Sequence, residues 1–139
     1  MASDPEAVEA ANRAFYQALE ARDLHRMEEI WAVEDDVSCI HPGWHRLDGR
    51  DEVSRAWRAI FANSRPWRAS CESVRIFVAE GLALVVCVEK LETIGGEGEP
   101  ARMQATNVFR KAGGEWKMLH HHSTPMPDVA GEDEEEPVN

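Results

Sequence analysis

The chain has 139 residues, of which 43% are hydrophobic and 29% charged, with a net charge of -11 at pH 7. This size and composition are typical of one globular domain with a sizeable core. Six of the acidic residues lie beyond Pro125, where no Lys or Arg occurs. The acidic balance argues against a nucleic acid or an anionic membrane surface as partner, because both need basic protein surface. No stretch approaches the about 20 apolar residues of a membrane-spanning helix, so we expect a cytoplasmic protein.

The first half of the chain predicts three helices and one strand. Asp4-Pro5-Glu6 is typical of a helix start with the Asp as N-cap, and apolar residues at helical spacing continue to about Ala21. Asp23 is the predicted cap of a second, short helix. Val37 to His41 predicts a strand, which Pro42-Gly43 ends. The third helix is predicted by the apolar spacing from Val53 to Phe61 and stops near Asn63.

The second half of the chain predicts four antiparallel strands. Trp67 to Ala79 is one strand, and its alternation changes parity near Ser73-Val74, which predicts a bulge. Leu82 to Thr93 contains the continuous apolar run LALVVCV, which is typical of a strand covered on both faces. Met103 to Thr124 reads as a hairpin, with two β-rich runs around a Gly-containing turn.

This order of elements predicts an α+β fold. We expect a cone-shaped barrel, in which a strongly curved, mostly antiparallel sheet wraps around three N-terminal helices. The open mouth of such a cone is a natural pocket for a small-molecule ligand. The domain spans residues 1–125, and residues 126–139 are expected to form an acidic, flexible tail that buries little apolar surface.

The second strand of the hairpin ends in three consecutive histidines. Side chains alternate between the faces of a strand, so His120 and His122 share the face of Trp116. We therefore predict that His120 and His122 look into the pocket. His121 is predicted to face solvent or a subunit contact. The three cysteines, Cys39, Cys71 and Cys87, form no C-x-x-C pair and are predicted to be buried free thiols.

Several motifs accompany this order of elements. They are Ala18-Leu19-Glu20-Ala21-Arg22-Asp23, His41-Pro42-Gly43-Trp44, Gly49-Arg50, Trp57, Thr106-Asn107-Val108-Phe109-Arg110 and Gly114-Glu115-Trp116-Lys117-Met118. Together they resemble the nuclear transport factor 2-like superfamily, and within it the SnoaL-like branch. The resemblance implies a homodimer formed through the outer face of the sheet. It does not imply one reaction, because the superfamily holds isomerases, dehydratases, cyclases, hydrolases and non-catalytic binding modules.

Three positions correspond to the functional residues of the ketosteroid-isomerase-like relatives. His41-Pro42 falls where those enzymes carry a general-base carboxylate before a proline. Asn107, two residues before Phe109, takes the place of their protonated carboxylic acid. Their helix-one tyrosine falls on Phe15, beside the only tyrosine, Tyr16. The resemblance therefore implies that this chain is not a steroid isomerase of the known type.

Four residues are catalytic candidates. His41 is a candidate general base, because an imidazole titrates near neutral pH; the alternative is a histidine of the pocket wall. Asn107 can donate to a carbonyl oxygen, or it can be a buried amide bonded to His120 or to backbone. His120 and His122 can return a proton or orient a substrate, or they can be a polar pocket wall.

His41, His120 and His122 together offer three nitrogen ligands for a metal ion, but no carboxylate or cysteine completes a familiar motif. Relatives usually work without metal, so we predict neither a metal nor a cofactor. Aromatic residues that can line the pocket, or alternatively belong to the core, are Phe15, Tyr16, Trp31, Trp44, Trp57 and Phe61.

Two functions remain open from the sequence. The first is a cofactor-free enzyme that performs acid–base chemistry next to a carbonyl group, of the isomerase, dehydratase or cyclase type. The alternative is a non-catalytic module for binding a small molecule or for dimerisation. The missing carboxylate before Pro42 and the displaced tyrosine favour the module.

Overall fold

A computed structural model describes residues 3–127. Of the tail predicted for residues 126–139, all but the first two residues lie outside the described part of the chain. The elements in chain order are α1 (Asp4–Ala21), α2 (Leu24–Ile30), β1 (Ser38–Ile40), β2 (Leu47–Asp48), α3 (Arg50–Asn63), β3 (Trp67–Ala79), β4 (Leu82–Thr93), β5 (Ala101–Ala112) and β6 (Glu115–Pro125).

The N-terminal helix begins one residue earlier than the sequence predicts. Ser3 is its N-cap: the Ser3 hydroxyl accepts a hydrogen bond from the backbone N–H of Glu6 at 3.3 Å, and the Glu6 carboxylate accepts one from the Ser3 backbone N–H at 3.1 Å. This reciprocal capping satisfies two N–H groups at once, so the prediction of Asp4 as N-cap is wrong. The predicted cap of α2 is confirmed, because the Asp23 carboxylate accepts from the backbone N–H of Arg26.

The strands form a six-stranded sheet in the order β2-β1-β6-β5-β4-β3. All neighbouring pairs are antiparallel except β1 and β6. The predicted α+β fold, with three helices on one face of a curved and mostly antiparallel sheet, is confirmed. The short strand β2 was not predicted, and the sheet does not close into a barrel, because β2 and β3 remain as edges.

We call the face of the sheet that packs against the helices the inner face, and the opposite one the outer face. The hydrophobic core lies between the inner face and the helices, where Phe15 and Met27 meet Val85, Phe109 and Met118. Among residues 3–127, we find no helix that is both long and apolar enough to cross a membrane.

Two bulges interrupt the pairing of the strands. The first lies between Glu72 and Arg75 of β3 and includes Ser73 at a φ of 53°, which confirms the bulge predicted there. The second was not predicted. Val108 pairs with His120, but the next residue of β5 pairs with Met118, so Leu119 is an extra residue in β6. A single extra residue exchanges the two faces of every residue that follows it.

Helix α1 covers part of the exposed edge of β3. The Glu20 carboxylate accepts a hydrogen bond from the backbone N–H of Ala69 at 2.8 Å. The Trp67 indole N–H donates to the backbone carbonyl of Leu19 at 2.7 Å. These bonds tie the edge of the sheet to the last turns of α1 and fix the helix above the inner face.

Candidate functional site

The histidines of β6 face opposite to the prediction. His121 lies on the inner face and is only 2% exposed, whereas His120 is half-buried and His122 is exposed on the outer face. The prediction is wrong because the extra residue Leu119 reverses the alternation after Met118. On the outer side, the Nδ1 atom of His120 lies 2.7 Å from the Ser38 hydroxyl.

The inner face carries a cluster of polar side chains that helix α1 and strands β4, β5 and β6 bring together. We call it the inner polar cluster, and its members are Asn12, Tyr16, Glu89, Asn107, His121 and Ser123. Each of them is at most 3% exposed. Polar groups buried to this extent are stable only when their hydrogen bonds are made within the protein.

Asn107 is the centre of the cluster. Its amide nitrogen Nδ2 donates to Asn12 Oδ1 at 2.8 Å and to Tyr16 Oη at 3.3 Å. Its oxygen Oδ1 lies 2.6 Å from Nδ1 of His121 and accepts from that ring. Asn107 is therefore a buried amide, which was the alternative to a donor for a carbonyl oxygen. Its histidine partner is His121 rather than the predicted His120.

Glu89 is the residue that sequence reasoning missed. Its carboxyl oxygens accept hydrogen bonds from the Tyr16 hydroxyl at 2.8 Å and from the Ser123 hydroxyl at 2.7 Å. Burial raises the pKa of Glu89, and it also raises the pKa of Tyr16, which remains a donor at any ordinary pH. The sequence does carry a signal for the burial of Glu89. Val85, Cys87 and Glu89 are spaced two residues apart along one strand, so they share the inner face.

Glu89 and His121 form an acid–base pair. Because His121 donates from Nδ1 to Asn107, its other nitrogen Nε2 is the unprotonated one in the neutral ring, and it faces Glu89 Oε2 at 3.6 Å. Burial lowers the pKa of His121 to about 3. A neutral imidazole thus faces a carboxyl group whose affinity for its proton is increased.

His41 lies next to this pair, where β1 ends. It is 4% exposed, and its ring centroid is 6.3 Å from that of His121. The indole rings of Trp57 and Trp44 pack against it edge-on at 4.6 Å and 4.9 Å. Burial lowers the pKa of His41 to about 4, so the ring is neutral at pH 7 and able to accept a proton.

The predicted pocket aromatics lie in four different places. Phe15, Trp57 and Phe61 pack on one another beside His41 and His121. Tyr16 belongs to the inner polar cluster, and Trp44, 45% exposed, covers His41 from the outside. Trp31 lies apart, where it lines a small cavity between α2 and α3 together with Trp57. The buried indole N–H of Trp57 has no hydrogen-bond partner within residues 3–127.

The inner polar cluster is closed in this structure. A groove of about 520 Å³ runs over the outer face between Val86, Gln104 and His122, and a cavity of about 670 Å³ lies between the end of α1 and the start of β3. Neither is lined by a member of the cluster. Because Glu89 is itself only 3% exposed, a ligand can reach it only if covering side chains move.

The three histidines considered for a metal do not meet. His41 lies on the inner side of the sheet, whereas His120 and His122 lie on the outer side. Within residues 3–127, no three His, Cys, Asp or Glu side chains are arranged to hold a metal ion.

Comparison with known proteins identifies the family. The family model described as "SnoaL-like domain" matches residues 8–128. The chain belongs to the SnoaL-like family. Solved structures described as nuclear transport factor 2-like and as cystatin-like share its fold, in agreement with the resemblance of the motifs.

Two solved structures are similar to this chain over nearly their whole length. A candidate calcium/calmodulin-dependent protein kinase type II association domain from Thiobacillus denitrificans is 38% identical, with a TM-score of 0.80 over 86% of this chain and 94% of that one. A candidate dehydratase of the nuclear transport factor 2-like family from Streptomyces avermitilis is 36% identical, with a TM-score of 0.81 over 90% of this chain and 97% of that one.

A curated relative is the F-box protein SKIP8 of Arabidopsis thaliana. It is 30% identical over 120 residues, which are 86% of this chain and 50% of SKIP8. The SnoaL-like chain thus spans about half the length of this relative. The similar proteins are described by both a catalytic and an association role, so the similarity alone does not select one.

Proposed function

We propose that this SnoaL-like protein is a cofactor-independent acid–base enzyme acting on a small carbonyl-containing molecule, of the isomerase, dehydratase or cyclase type. The observation that carries the proposal is the pair of Glu89 and His121, a carboxyl and an imidazole buried together in the interior of the fold. Pairs of titratable groups whose surroundings shift their pKa values in opposite directions, as burial does for Glu89 and His121, are typical of acid–base sites. The similarity to the candidate dehydratase supports the same class of reaction.

The roles follow from the protonation states. Neutral His41 would take a proton from the carbon next to the carbonyl group. Glu89, whose pKa is raised, would supply a proton, and His121 would exchange it through Nε2. Tyr16 and Asn107 would orient the pair, because the Tyr16 hydroxyl donates to Glu89 and the Asn107 oxygen accepts from His121. His120 and His122 take no part, because the sheet separates them from His41.

The substrate would enter beside Trp44. This side chain is half exposed and packs against His41, so its displacement would open a path to that ring. The Trp57 indole N–H, which has no partner within the described residues, would then donate to a polar atom of the substrate. The aromatic rings of Phe15 and Phe61 would contact its apolar part.

Proton exchange tests the proposal without knowledge of the natural substrate. The full chain is incubated in D₂O with α-tetralone, an aromatic ketone, and deuterium uptake at the carbon next to the carbonyl is followed by proton NMR. We expect uptake faster than in buffer, a decrease of at least tenfold in His41→Ala and Glu89→Gln, and no change in His122→Ala. Uptake that is equal in wild type, His41→Ala and Glu89→Gln contradicts the assignment.

A second candidate function is a non-catalytic association module. Large apolar side chains are exposed on the outer face of β3 and β4, with Phe77 at 49% and Leu84 at 37%. Burial of this patch would favour a homodimer, and the similarity to the candidate kinase association domain supports that role. The two functions are compatible, because the dimer would use the outer face and the enzyme the inner one.

We place either form in the cytoplasm, in agreement with three free thiols.

A further inference from the structure

Two cysteines lie side by side on the inner face, next to the edge of the sheet. Cys71 of β3 pairs with Glu89 of β4, and Cys87 is two residues before Glu89, so the two thiols are diagonal neighbours on adjacent strands. Asn12 Nδ2 lies 3.5 Å from Cys71 Sγ, and Tyr16 Oη lies 3.5 Å from Cys87 Sγ. Because Asn12 and Tyr16 are one helical turn apart, they hold both sulfur atoms in the same small volume. Both cysteines are free.

The strand that carries Cys71 is irregular next to this residue. It is an edge strand, paired on one side only. The bulge that includes Ser73 interrupts its pairing opposite Cys87. A disulfide requires Cα atoms within about 7 Å, and diagonal neighbours on adjacent strands lie about 7–8 Å apart. A small shift of this irregular edge strand is therefore enough to join the two sulfur atoms.

The two thiols differ in reactivity. Cys71 is partly exposed, whereas Cys87 is 6% exposed. A hydrogen bond with the Cys87 thiol lowers the pKa of Cys71, while that same hydrogen bond and burial raise the pKa of Cys87. The accessible cysteine is thus the one that forms a thiolate more readily, and its neighbour keeps its proton.

We propose that Cys71 and Cys87 are a peroxide-sensitive pair that forms an intramolecular disulfide. The Cys71 thiolate attacks one oxygen of hydrogen peroxide, the O–O bond breaks, hydroxide leaves, and Cys71 becomes a sulfenic acid. The Cys87 sulfur then attacks the Cys71 sulfur, the S–O bond breaks, and water leaves with the proton of Cys87. Peroxide is reduced to water, and the two thiols are oxidised to one disulfide.

The disulfide would act on the inner polar cluster. The Cys87 sulfur is in contact with the Tyr16 hydroxyl, which donates to Glu89. A bond to Cys71 would draw this sulfur towards the edge strand. Cys39 takes no part, because its strand β1 is separated from β4 by β5 and β6.

The mass of the full chain tests the proposal without any assay of activity, so its outcome is independent of the proposed enzyme. The reduced protein is treated with hydrogen peroxide, denatured in iodoacetamide, and analysed by intact mass and peptide mapping. We expect the loss of two hydrogen atoms, alkylation of Cys39 alone, and a peptide that links Cys71 to Cys87. Three alkylated thiols, a sulfinic acid without a link, or a link that involves Cys39 or a second chain would overturn the proposal.

Variants distinguish Cys71, which reacts with peroxide, from Cys87, which then forms the disulfide. In Cys87→Ser we expect Cys71 to stop at the sulfenic acid, which dimedone traps. In Cys71→Ser we expect Cys87 to stay reduced at the same dose of peroxide, and Cys39→Ser is the matched control that still forms the link. Circular dichroism confirms that each variant is folded, and the wild-type peptide map stands on its own if one is not. Equal oxidation of Cys87 with and without Cys71 would contradict the order of the steps.

Discussion

The two faces of the sheet use the same residue types for different purposes. On the inner face, His121 is buried, neutral and held by Asn107, and it faces a carboxyl group. On the outer face, His122 is exposed beside an open groove, one residue along the same strand. Burial and hydrogen-bond partners, rather than the identity of the side chain, therefore distinguish the neutral histidine of the interior from the histidine at the surface.

The largest expected difference between the faces concerns Asn107 and its neighbour Thr106. Asn107→Leu removes one hydrogen bond each from Asn12, Tyr16 and His121, and we expect a loss of about 4 kcal/mol in the free energy of unfolding. Thr106→Val, on the outer face, is the matched control with an expected change below about 0.5 kcal/mol. Urea denaturation measures both, and a loss below about 1 kcal/mol in Asn107→Leu would contradict the central position of this amide.

The histidine run offers a second matched pair. His121→Ala removes a buried ring and leaves the Asn107 oxygen unpaired, so we expect a loss of about 3 kcal/mol. His122→Ala removes an exposed ring, and we expect less than about 0.5 kcal/mol. Urea denaturation measures both, and a larger loss in His122→Ala than in His121→Ala would support the orientation predicted from simple alternation.

The pH dependence of stability tests the buried histidines. Folding lowers the pKa of His121 to about 3 and that of His41 to about 4, so the unfolded chain binds more protons below its ordinary histidine pKa of 6.5. Their contribution to stability is complete above pH 6.5 and is lost as the pH falls towards 4.

We expect the free energy of unfolding, measured with urea, to be nearly constant from pH 8 to pH 7 and to decrease by pH 5, with a loss of about 2 kcal/mol for each of the two rings. His121→Asn should reduce this slope. His25→Gln, at a side chain that is 82% exposed, is the control that should leave it unchanged. Stability that rises on acidification to pH 5 would show that these two rings are not buried neutral.

The smallest effect is expected on the outer face. Phe77→Glu places a charge in the exposed apolar patch, and we expect the dissociation constant of the proposed homodimer to increase at least tenfold, or about 1.4 kcal/mol. Light scattering at several concentrations measures it. Val33→Glu, at an apolar side chain that is 73% exposed and outside the sheet, is the control. A wild-type chain that remains monomeric at all concentrations rejects the dimer.

The sequence predicts the elements well because their apolar periodicity is strong. The bulge at Ser73 is visible because the apolar residues of β3 change parity around it, from Cys71 to Ile76. The bulge at Leu119 is invisible in the sequence for a physical reason: the residues after it are three histidines, which look the same in either alternation. The faces of these side chains were therefore not predictable from the local pattern.

The candidate site shows the same limit. Glu89 follows the continuous apolar run of β4, which predicts burial on both faces and hides the parity that places its carboxyl group inside. Asn107 was found through its family position, and His41 through the Pro that follows it. Tyr16 was named as an aromatic of the pocket, but its hydroxyl reaches the inner polar cluster because α1 turns that face of the helix towards β4.

The hydrogen bond from the Ala69 backbone to Glu20 also bears on how readily the protein aggregates at high concentration. The unpaired backbone groups at the edge of a sheet can recruit a strand from another molecule and so begin aggregation. In this chain the Glu20 carboxylate of α1 already accepts the hydrogen bond of one of these amides, that of Ala69. Its negative charge would also repel the carbonyl oxygen of an incoming strand. Glu20, which fixes α1 above the sheet, therefore also protects the open edge of β3 from pairing with another molecule.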